Sequence, residues 1–308
     1  MKILFLMKPL AYVKPDKDTS VLLMQACQRL GHDIYFLPQG ATSITPEGIV
    51  FDVVLIACTG DKESPFDVRQ RERLHENDVA AIFIRTDPPF DDAYLHDMWV
   101  LDRLSDRVRC INSPAGIRTV NEKLWLTQFR HLIPKTWVTT SRDMLESVLA
   151  EQGQLILKPT NGFGGQSIFL LSQEDVNKHV ILDTMFAKAT AYVVAQEVLA
   201  DAANGDKRIL LCDGEPIGAV LRVHPAHDHR NNLDVGGQAL ATEITVRDQA
   251  IIAELKPALL SLGLRFVGID VIGDYLIEVN VTSPTCLQEL NALDGYAHED
   301  DLVNRFLA

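Results

Sequence analysis

Short apolar runs alternate with amphipathic segments over the first part of the chain. Apolar runs bounded by turn residues predict four buried strands, at KILFLM (2–7), DIYFLP (33–38), FDVVLIA (51–57) and AAIFIR (80–85). The helical periodicity of TSVLLMQACQRLGH predicts a helix with Thr19 or Ser20 as its N-cap. Helices between strands indicate a parallel sheet, whose ligands bind beyond the carboxyl ends of the strands. Two segments lie at that edge, KPDKDTS (14–20) and RTDPPF (85–90).

The pattern changes near residue 120. RTVNEKLWLTQFRHL (118–132) predicts a helix, and further strands and helices follow it to a C-terminal hairpin. Strands are predicted at LIPKTWVTT, QLILKP and AYVVAQEVL, and two more flank Asp213-Gly214; helices are predicted at MLESVLAEQ and RDQAIIAELKPALLSLGL. We therefore predict three domains or subdomains, spanning residues 1–119, 120–198 and 199–308.

The hairpin near the end of the chain combines two β-branched runs, FVGIDVI (266–272) and LIEVNV (276–281). Alternation places Val267, Ile269 and Val271 with Ile277, Val279 and Val281 on a core face. Asp270, Glu278 and Asn280 then share the other face if Asp270 pairs with Glu278, which predicts a three-residue loop and a bulge. Facing carboxylates repel, and a cation between them resolves this. A site built from oxygen ligands favours magnesium or manganese. The alternative to a metal site is a solvated hairpin face that carries two acids.

A glycine-rich loop follows Lys158, at the end of a predicted strand. Gly162, Gly164 and Gly165 could expose backbone N–H groups to phosphates while Lys158 supplies charge, although an ordinary hairpin turn explains the loop equally well. Lys123 is a second lysine in the same subdomain, with a solvated helix lysine as its alternative.

A strand edge and a charged segment come next. Gln196, Glu197, Val198 and Leu199 end a hydrophobic strand, and such an edge can offer backbone groups to adenine. In the following 206–208 segment, Asp206 suits ribose hydroxyls and Lys207 and Arg208 suit phosphate, unless they form only a charged turn.

Composition narrows the class of protein. The net charge of −13, without a basic stripe, argues against nucleic acid or an anionic membrane surface as a partner. Five scattered cysteines without a C-x-x-C pair indicate reduced thiols. Because MKILFLMK is too short for a signal peptide and no run approaches membrane-spanning length, we expect a soluble cytoplasmic protein.

Taken in order, NEKL, ILKPTNGFGGQSIF, AQEVL, GDKR, VGIDVIGD and IEVNVTSPT resemble the ATP-grasp superfamily. With IRTDPPFD upstream and TSPTC downstream, the chain resembles more narrowly the bacterial-type glutathione synthetases, essentially from end to end. The resemblance implies an α/β and α+β architecture: an N-terminal doubly wound parallel-sheet domain, then a two-lobed ATP-grasp fold. It also implies that ATP drives the ligation of γ-L-glutamyl-L-cysteine to glycine, and a homotetramer.

The resemblance also implies roles for individual residues. Lys123 and Lys158 would bind ATP phosphates, the 161–167 loop would cover them, 196–199 would meet adenine and Asp206 would hold ribose. Asp270, Glu278 and Asn280 would hold magnesium or manganese, and Arg208 and Arg222 would face the transferred phosphate. Thr282 and Ser283 would grip the glycine carboxylate, and we take Asp18, Ser20 and Arg85 as further substrate-binding candidates.

Several positions depart from the family pattern. Thr86 stands where lysine is usual, Gln238 where arginine is common, and LQELN follows TSPTC in place of an arginine- and acid-rich run. The 60–80 region is short, and Ala226 and His227 replace usual glycines in segment 222–237, which we expect to be a mobile lid. We do not expect His224, His227 and His229 to bind metal, because magnesium disfavours imidazole.

Two rival hypotheses remain from the sequence. One is another ATP-grasp ligase that adds an amino acid to a different peptide or protein acceptor. The other is a non-catalytic nucleotide-binding protein on the same fold, which the retained acidic positions argue against.

Overall fold

A mixed sheet organises the N-terminal part of the protein. The computed structural model describes residues 1–162, 165, 167–188, 190–224 and 236–308. Within the first of these ranges the N-terminal sheet has seven strands, β1 (Lys2–Met7), β2 (Asp33–Pro38), β3 (Thr42–Thr45), β4 (Gly48–Cys58), β5 (Phe66–His75), β6 (Val79–Ile84) and β7 (Arg109–Ile111). The order is β3-β4-β2-β1-β6-β7, with β5 on the other edge of β4.

The central strands of this sheet are parallel, as predicted, but the third predicted strand is not. β1 pairs in parallel with β2 and with β6, and β6 with β7. β4 instead runs antiparallel to β2, because the short connection through β3 contains no crossover helix. β5 was not predicted at all: it is an edge strand, its side chains are mostly exposed, and its run of charges hides the usual apolar signal.

The N-terminal sheet has a topological switch point between β1 and β6. The chain leaves β1 toward β2 on one side and returns as β6 on the other side of β1. Ligands of such sheets bind in the crevice beyond the carboxyl ends of the strands at this point. Lys8 follows β1 and Arg85 follows β6 at that edge.

Helices cover both faces of this sheet. They are α1 (Thr19–Arg29), α2 (Asp92–Leu101) and α3 (Pro114–Thr119). α1 confirms the predicted helix, but its N-cap is Asp18, whose side chain accepts the N–H of Ser20 at 3.0 Å.

The helix predicted over 118–132 is wrong. α3 ends at Thr119, and only a 3₁₀ turn forms at Trp125–Gln128. The side chain of Asn121 accepts the backbone N–H groups of Lys123 and Leu124, at 3.1 and 3.0 Å. An asparagine that bonds locally to the backbone in this way competes with a continuous helix.

Two further sheets follow along the described chain. The second contains β8 (Thr136–Thr139), β9 (Gln154–Pro159), β10 (Phe169–Ser172) and β11 (Val193–Glu197) in the order β10-β9-β11-β8, with helices α4 (Arg142–Gln152) and α5 (Lys178–Met185). The third contains β12 (Asp206–Cys212), β13 (Glu215–Val223), β14 (Gln238–Ala241), β15 (Phe266–Ile272) and β16 (Tyr275–Asn280) in the order β14-β13-β12-β15-β16.

Three helices pack with the third sheet, α6 (Val246–Ser261), α7 (Leu287–Asp294) and α8 (His298–Leu307). One face of β12 contributes Ile209 and Leu211 to a core shared with α6. The other face contributes Leu210 and Cys212 to a core shared with β1 and α8. The same second face changes from apolar to charged along β12, and its charged end is the candidate site. No helix in the described part of the chain has the length and apolar character needed to cross a bilayer.

Candidate active site

The β15–β16 hairpin pairs Asp270 with Glu278 and Gly268 with Asn280, as predicted. The predicted three-residue loop is wrong. Ile272 pairs with Tyr275, so the turn has two residues, and the register shifts between Asp270 and Val271. Gly273 in that turn has φ +55°, which glycine adopts without strain.

The register shift, not the turn, brings the two acids to one face. Val271 pairs with Leu276 and Asp270 with Glu278, so Ile277 is an extra residue in β16. Leu276 is therefore buried in the core beside Val271, whereas Ile277 is only half-buried. This reverses the predicted positions of Leu276 and Ile277.

Asp270 lies between two arginines from neighbouring strands. Arg208 stands directly opposite it on β12, and its Nη2 donates to Oδ2 of Asp270 at 2.9 Å; the Arg208 Nε also donates to Oδ1. Nη2 of Arg222 on β13 is also 2.9 Å from Oδ2 of Asp270. Burial disfavours the charge on this carboxylate, but the two guanidinium groups hold its pKa well below the usual value.

Asp206 extends this row of charges. It pairs across β12 and β13 with Arg222, whose Nε and Nη2 donate to its two carboxylate oxygens at 2.8 and 2.6 Å. Burial raises the pKa of Asp206 even though Arg222 opposes that shift. The structure thus places Asp206, Arg208, Arg222 and Asp270 in one buried network, and a ribose would have to share Asp206 with Arg222.

Lys123 connects the hairpin to the glycine-rich loop. Its Nζ lies 2.8 Å from Oε1 of Glu278 and donates to the carbonyl of Gly162 at 2.7 Å. Burial opposes the charge on this lysine, but attraction to Glu278 and Glu122 raises its pKa. Lys123 is therefore a buried cation at the site and not a solvated helix lysine. Gly165 has φ +75°, and Gly164 lies outside the described residues.

Lys158 is buried at the end of β9. Its Nζ donates to Oε1 of Gln196 on β11 at 2.7 Å, and Gln196 donates in turn to Oγ1 of Thr136 at 3.0 Å. Burial lowers the pKa of Lys158 to about 8. An anion that binds Lys158 therefore replaces few existing hydrogen bonds of this side chain.

The strand that was predicted to present residues 196–199 to adenine ends earlier than the sequence suggested. β11 ends at Glu197, whose carboxylate accepts the N–H of Lys135 at 2.8 Å. Val198 and Leu199 follow the strand and lie outside it. Their backbone groups are therefore positioned beside the sheet that also holds Lys158.

Glu122 is a site residue that the sequence reasoning did not single out. Its Oε1 accepts from Oγ1 of Thr282 at 3.1 Å, and its carbonyl accepts the N–H of Val279 at 3.1 Å. Burial, and then repulsion from Glu278, raise the pKa of Glu122 to about 7. The only available signal was its place in NEKL, next to Lys123.

A cleft that opens to solvent lies between the N-terminal domain and these residues. Its lining includes Phe90 from the N-terminal domain, Asn161 and Gly162 from the glycine-rich loop, and Glu122 and Thr282. The cleft therefore adjoins the charged face of the third sheet.

The candidate substrate-binding residues of the N-terminal domain contact the turn that follows the hairpin. Arg85 is buried, and it donates through Nε to Oγ of Ser20 at 3.0 Å and through Nη2 to the carbonyl of Pro284 at 2.9 Å. Ser283 donates to Oδ1 of Asp87 at 2.7 Å. Hydrogen bonds thus join residues that are far apart in sequence across two domains.

The donor set on the hairpin suits magnesium. Asp270 and Glu278 offer carboxylate oxygens and Asn280 an amide oxygen, and hard divalent cations prefer oxygen ligands. In the described part of the chain, no group of three or more His, Cys, Asp or Glu side chains could hold a metal ion. The predicted lid lies largely outside the described residues, as do His227 and His229.

Comparison with known proteins identifies the family. The model of the prokaryotic glutathione synthetase N-terminal domain matches residues 1–118, and the model of the ATP-grasp domain of the same family matches residues 122–295. The chain belongs to the prokaryotic glutathione synthetase family. Its fold class is therefore the expected one, an α/β N-terminal domain followed by an ATP-grasp domain.

Curated members of the family align over almost their whole length. The glutathione synthetase of Gloeobacter violaceus is 38% identical over 99% of this chain and 96% of that protein. That of Synechococcus elongatus is 38% identical over 98% and 97%, and that of Coxiella burnetii 36% over 100% and 95%.

Solved structures share the fold at low sequence identity. The D-cycloserine synthetase DcsG superposes with a TM-score of 0.68 at 16% identity, covering 99% of both chains. The macrocyclase MdnC from Microcystis aeruginosa, bound with its precursor peptide MdnA, gives 0.67 at 13% identity over 100% of this chain and 99% of that chain. At such identities these matches establish the fold alone.

Proposed function

We propose that this protein is a glutathione synthetase, which uses ATP to join γ-glutamylcysteine to glycine and releases ADP and phosphate. One observation supports this most directly. The hairpin of an ATP-grasp fold presents Asp270 and Glu278 on one face, with the buried cations Lys123 and Arg208 in contact with them. These charges suit a polyphosphate with a bound metal ion. They also suit the negative charge that develops on the acyl group during the reaction.

The chemistry follows from the weakness of a carboxylate as an electrophile. An oxygen of the cysteine carboxylate attacks the γ-phosphorus of ATP, so ADP leaves and an acyl phosphate forms. The glycine amine then attacks the acyl carbon, and phosphate leaves with the former carboxylate oxygen. No covalent enzyme nucleophile is required.

The buried cations suit the phosphate end of this reaction. Lys123 and Lys158 bind ATP phosphates beneath the glycine-rich loop, and Arg208 and Arg222 stabilise the transferred phosphoryl group and the acyl phosphate. Both arginines are buried, and Asp270 holds them at the site in the absence of nucleotide. Backbone groups of 196–199 bind adenine.

Asp270, Glu278 and Asn280 would hold magnesium, or manganese, through oxygen atoms. When bound, the metal neutralises charge on the β- and γ-phosphates. Asp270 and Glu278 are paired with Arg208, Arg222 and Lys123 in the structure, so a metal held by the two acids would leave these cations free to bind phosphate.

The substrates bind on the cleft side of the hairpin. Thr282 and Ser283 bind the glycine carboxylate, since they follow the strand that contains Glu278 and Asn280. Asp18, Ser20 and Arg85 bind γ-glutamylcysteine from the N-terminal domain. We also propose a homotetramer in the cytoplasm; all five cysteines are free, as expected in a reducing compartment.

Phosphate release tests this proposal. Purified protein is incubated with ATP, Mg²⁺ and γ-glutamylcysteine, with and without glycine. Glycine-dependent release of phosphate together with glutathione supports the proposal. Release without glycine, or no turnover, refutes it, and turnover only with another amine acceptor favours a different ATP-grasp ligase.

A further inference from the structure

The amide-forming step of the proposed reaction requires a proton acceptor. Glycine enters as a zwitterion, and its ammonium group has no lone pair with which to attack the acyl carbon. One proton must leave before the attack, and a positioned side chain that takes it can accelerate such a step about 10²–10⁴-fold. The proposed function names residues for the phosphates, the metal and the substrates, but none for this proton.

Glu122 lies where that acceptor is needed. It lines the cleft together with Thr282, one of the two residues proposed to bind the glycine carboxylate. The backbone carbonyl of Glu122 accepts the N–H of Val279 at 3.1 Å, which fixes this residue beside β16. Glu122 is half-buried, so a ligand in the cleft can reach it.

The carboxylate of Glu122 has hydrogen-bonding capacity to spare. Among the described residues, only Thr282 donates to it, from Oγ1 to Oε1 at 3.1 Å. The neighbouring Lys123 directs its Nζ to Glu278 and to the carbonyl of Gly162 instead. An ionised carboxylate offers about four lone-pair sites to donors. Glu122 can therefore accept a further hydrogen bond from a ligand.

One glycine molecule can satisfy both Thr282 and Glu122. The hydroxyl of Thr282 has a single hydrogen, so it donates either to Glu122 or to a bound carboxylate. When this hydroxyl turns to the glycine carboxylate, the glycine ammonium can replace it as the donor to Glu122. The two oxygen atoms are only 3.1 Å apart, and the two charged groups of glycine are on adjacent carbon and nitrogen positions of one short molecule. The pair therefore matches a small α-amino-acid zwitterion.

The surroundings of Glu122 suit a group that gains and loses a proton. Burial, and then repulsion from Glu278, raise the pKa of Glu122 to about 7, although Lys123, Thr282 and Arg208 oppose this shift. A general base is most effective when its pKa lies near the working pH. This carboxylate is thus a stronger base than an exposed glutamate and is still ionised in neutral solution.

We propose that Glu122 is the general base of the amide-forming step. Its carboxylate takes one proton from the glycine ammonium, and the freed nitrogen lone pair attacks the acyl carbon. The bond between that carbon and the phosphate oxygen breaks, and the second proton lost by the nitrogen goes to the leaving phosphate. Glu122 then releases its proton to solvent through the open cleft. This inference rests on the proposed function, because glycine is one of the proposed substrates.

Two amines and three variants test this role at pH 8. Hydroxylamine is a much weaker base than glycine and is already uncharged at this pH, so it can attack the acyl phosphate without a general base and form a hydroxamate. The variants are Glu122→Gln, which still accepts from Thr282, Glu122→Ala, and the control Glu146→Gln, which removes an exposed carboxylate. Rates of glutathione and hydroxamate formation are measured with saturating ATP and γ-glutamylcysteine.

Glu122→Gln should lower kcat with glycine about 100-fold and leave the rate of hydroxamate formation unchanged within about threefold. Hydroxamate formation requires the acyl phosphate, so it shows that the first step still proceeds. Glu122→Ala leaves space for a small carboxylate, and added formate should raise its glycine-dependent turnover about tenfold or more. Glu146→Gln should behave as wild type with both amines.

Three results for Glu122→Gln overturn the assignment. They are a kcat with glycine near that of wild type, an equal loss of rate with both amines, and a rise in KM for glycine with kcat unchanged. The last result would mean that Glu122 binds the ammonium without accepting its proton. If Glu122→Gln does not fold, Glu122→Ala decides, because absence of rescue by formate contradicts the proposal. Wild-type protein that forms the hydroxamate but no glutathione from glycine would instead refute the proposed function.

Discussion

Glu278 faces Asp270 across a hairpin because a single residue, Ile277, bulges from the strand between the turn and Glu278. A regular hairpin with the same two-residue turn would place the two acids on opposite faces of the sheet. The bulge therefore decides whether the protein has a two-carboxylate site. Both carboxylates are matched by cations from other elements, which keeps this arrangement stable without a ligand.

Glu278→Gln should reduce turnover about 100-fold or more while the fold persists. The substitution keeps the shape of the side chain but removes the charge that would hold the metal near the γ-phosphate. Phosphate release gives the rate, and thermal unfolding with calorimetric ATP binding checks the fold. Glu215→Gln, at the exposed first position of β13, should retain wild-type activity. Near-full activity in Glu278→Gln would exclude a role as metal ligand.

Asp270→Asn should lower the free energy of unfolding by about 3 kcal/mol, because it leaves the buried Arg208 without a carboxylate partner. Urea unfolding in EDTA measures this loss independently of any metal. Asp52→Asn, which breaks the exposed pair with Arg73, should change stability little. Equal effects of the two substitutions would show that the buried network contributes no more than a surface pair.

ATP affinity should decrease as the pH rises above about 8. Burial lowers the pKa of Lys158 to about 8, so below that pH the free protein already has the cation that phosphate requires. Above it, binding must take up a proton, and Kd should rise up to about tenfold per pH unit. Calorimetry in buffers of different ionisation enthalpy measures the proton uptake.

Lys158→Arg provides the control for that titration. Arginine stays charged throughout this range, so its Kd for ATP should not follow the same pH dependence. An identical pH profile in wild type and Lys158→Arg would show that another group titrates.

Glu122→Gln should stabilise the protein at pH 8 and have little effect at pH 4. Burial and Glu278 raise the pKa of Glu122 to about 7, so between about pH 4.3 and 7 the folded state retains a proton that the unfolded state releases. Stability from this group is present at low pH and is lost as the pH rises through that window. Glutamine can still accept from Thr282, which isolates the effect of charge.

Urea unfolding in EDTA at both pH values measures this difference, which should be on the order of 2 kcal/mol. The exposed Glu146→Gln serves as the control. A stability gain of equal size at pH 4 and pH 8 would contradict a raised pKa for Glu122.

The sequence predicted those parts of the site that depend on strand alternation. The pairing of Asp270 with Glu278 followed from keeping Val267, Ile269 and Val279 on one face, and burial of those residues confirms that reasoning. The location of the bulge was not predictable, because both Leu276 and Ile277 can fill a core position. Glu122 was missed because its raised pKa depends on burial and then on Glu278, which is distant in sequence.

The sequence pattern also could not predict the features of turns and sheet edges. The antiparallel direction of β4 depends on the absence of a crossover helix, and the apolar run alone cannot show it. The break after α3 depends on one local choice, in which Asn121 bonds to the backbone of Lys123 and Leu124. The ion pair between Lys8 and Asp87 also required tertiary structure, since the two residues follow different strands, β1 and β6.

The most direct test of the whole account follows the oxygen of the activated carboxylate. γ-Glutamylcysteine labelled with ¹⁸O in its cysteine carboxylate is incubated with ATP, Mg²⁺, glycine and the protein, and mass spectrometry measures the label in phosphate. The account predicts glutathione and phosphate in equal amounts, with one ¹⁸O in each phosphate, and none of either product without glycine. Unlabelled phosphate, or phosphate formed without glutathione, would contradict it.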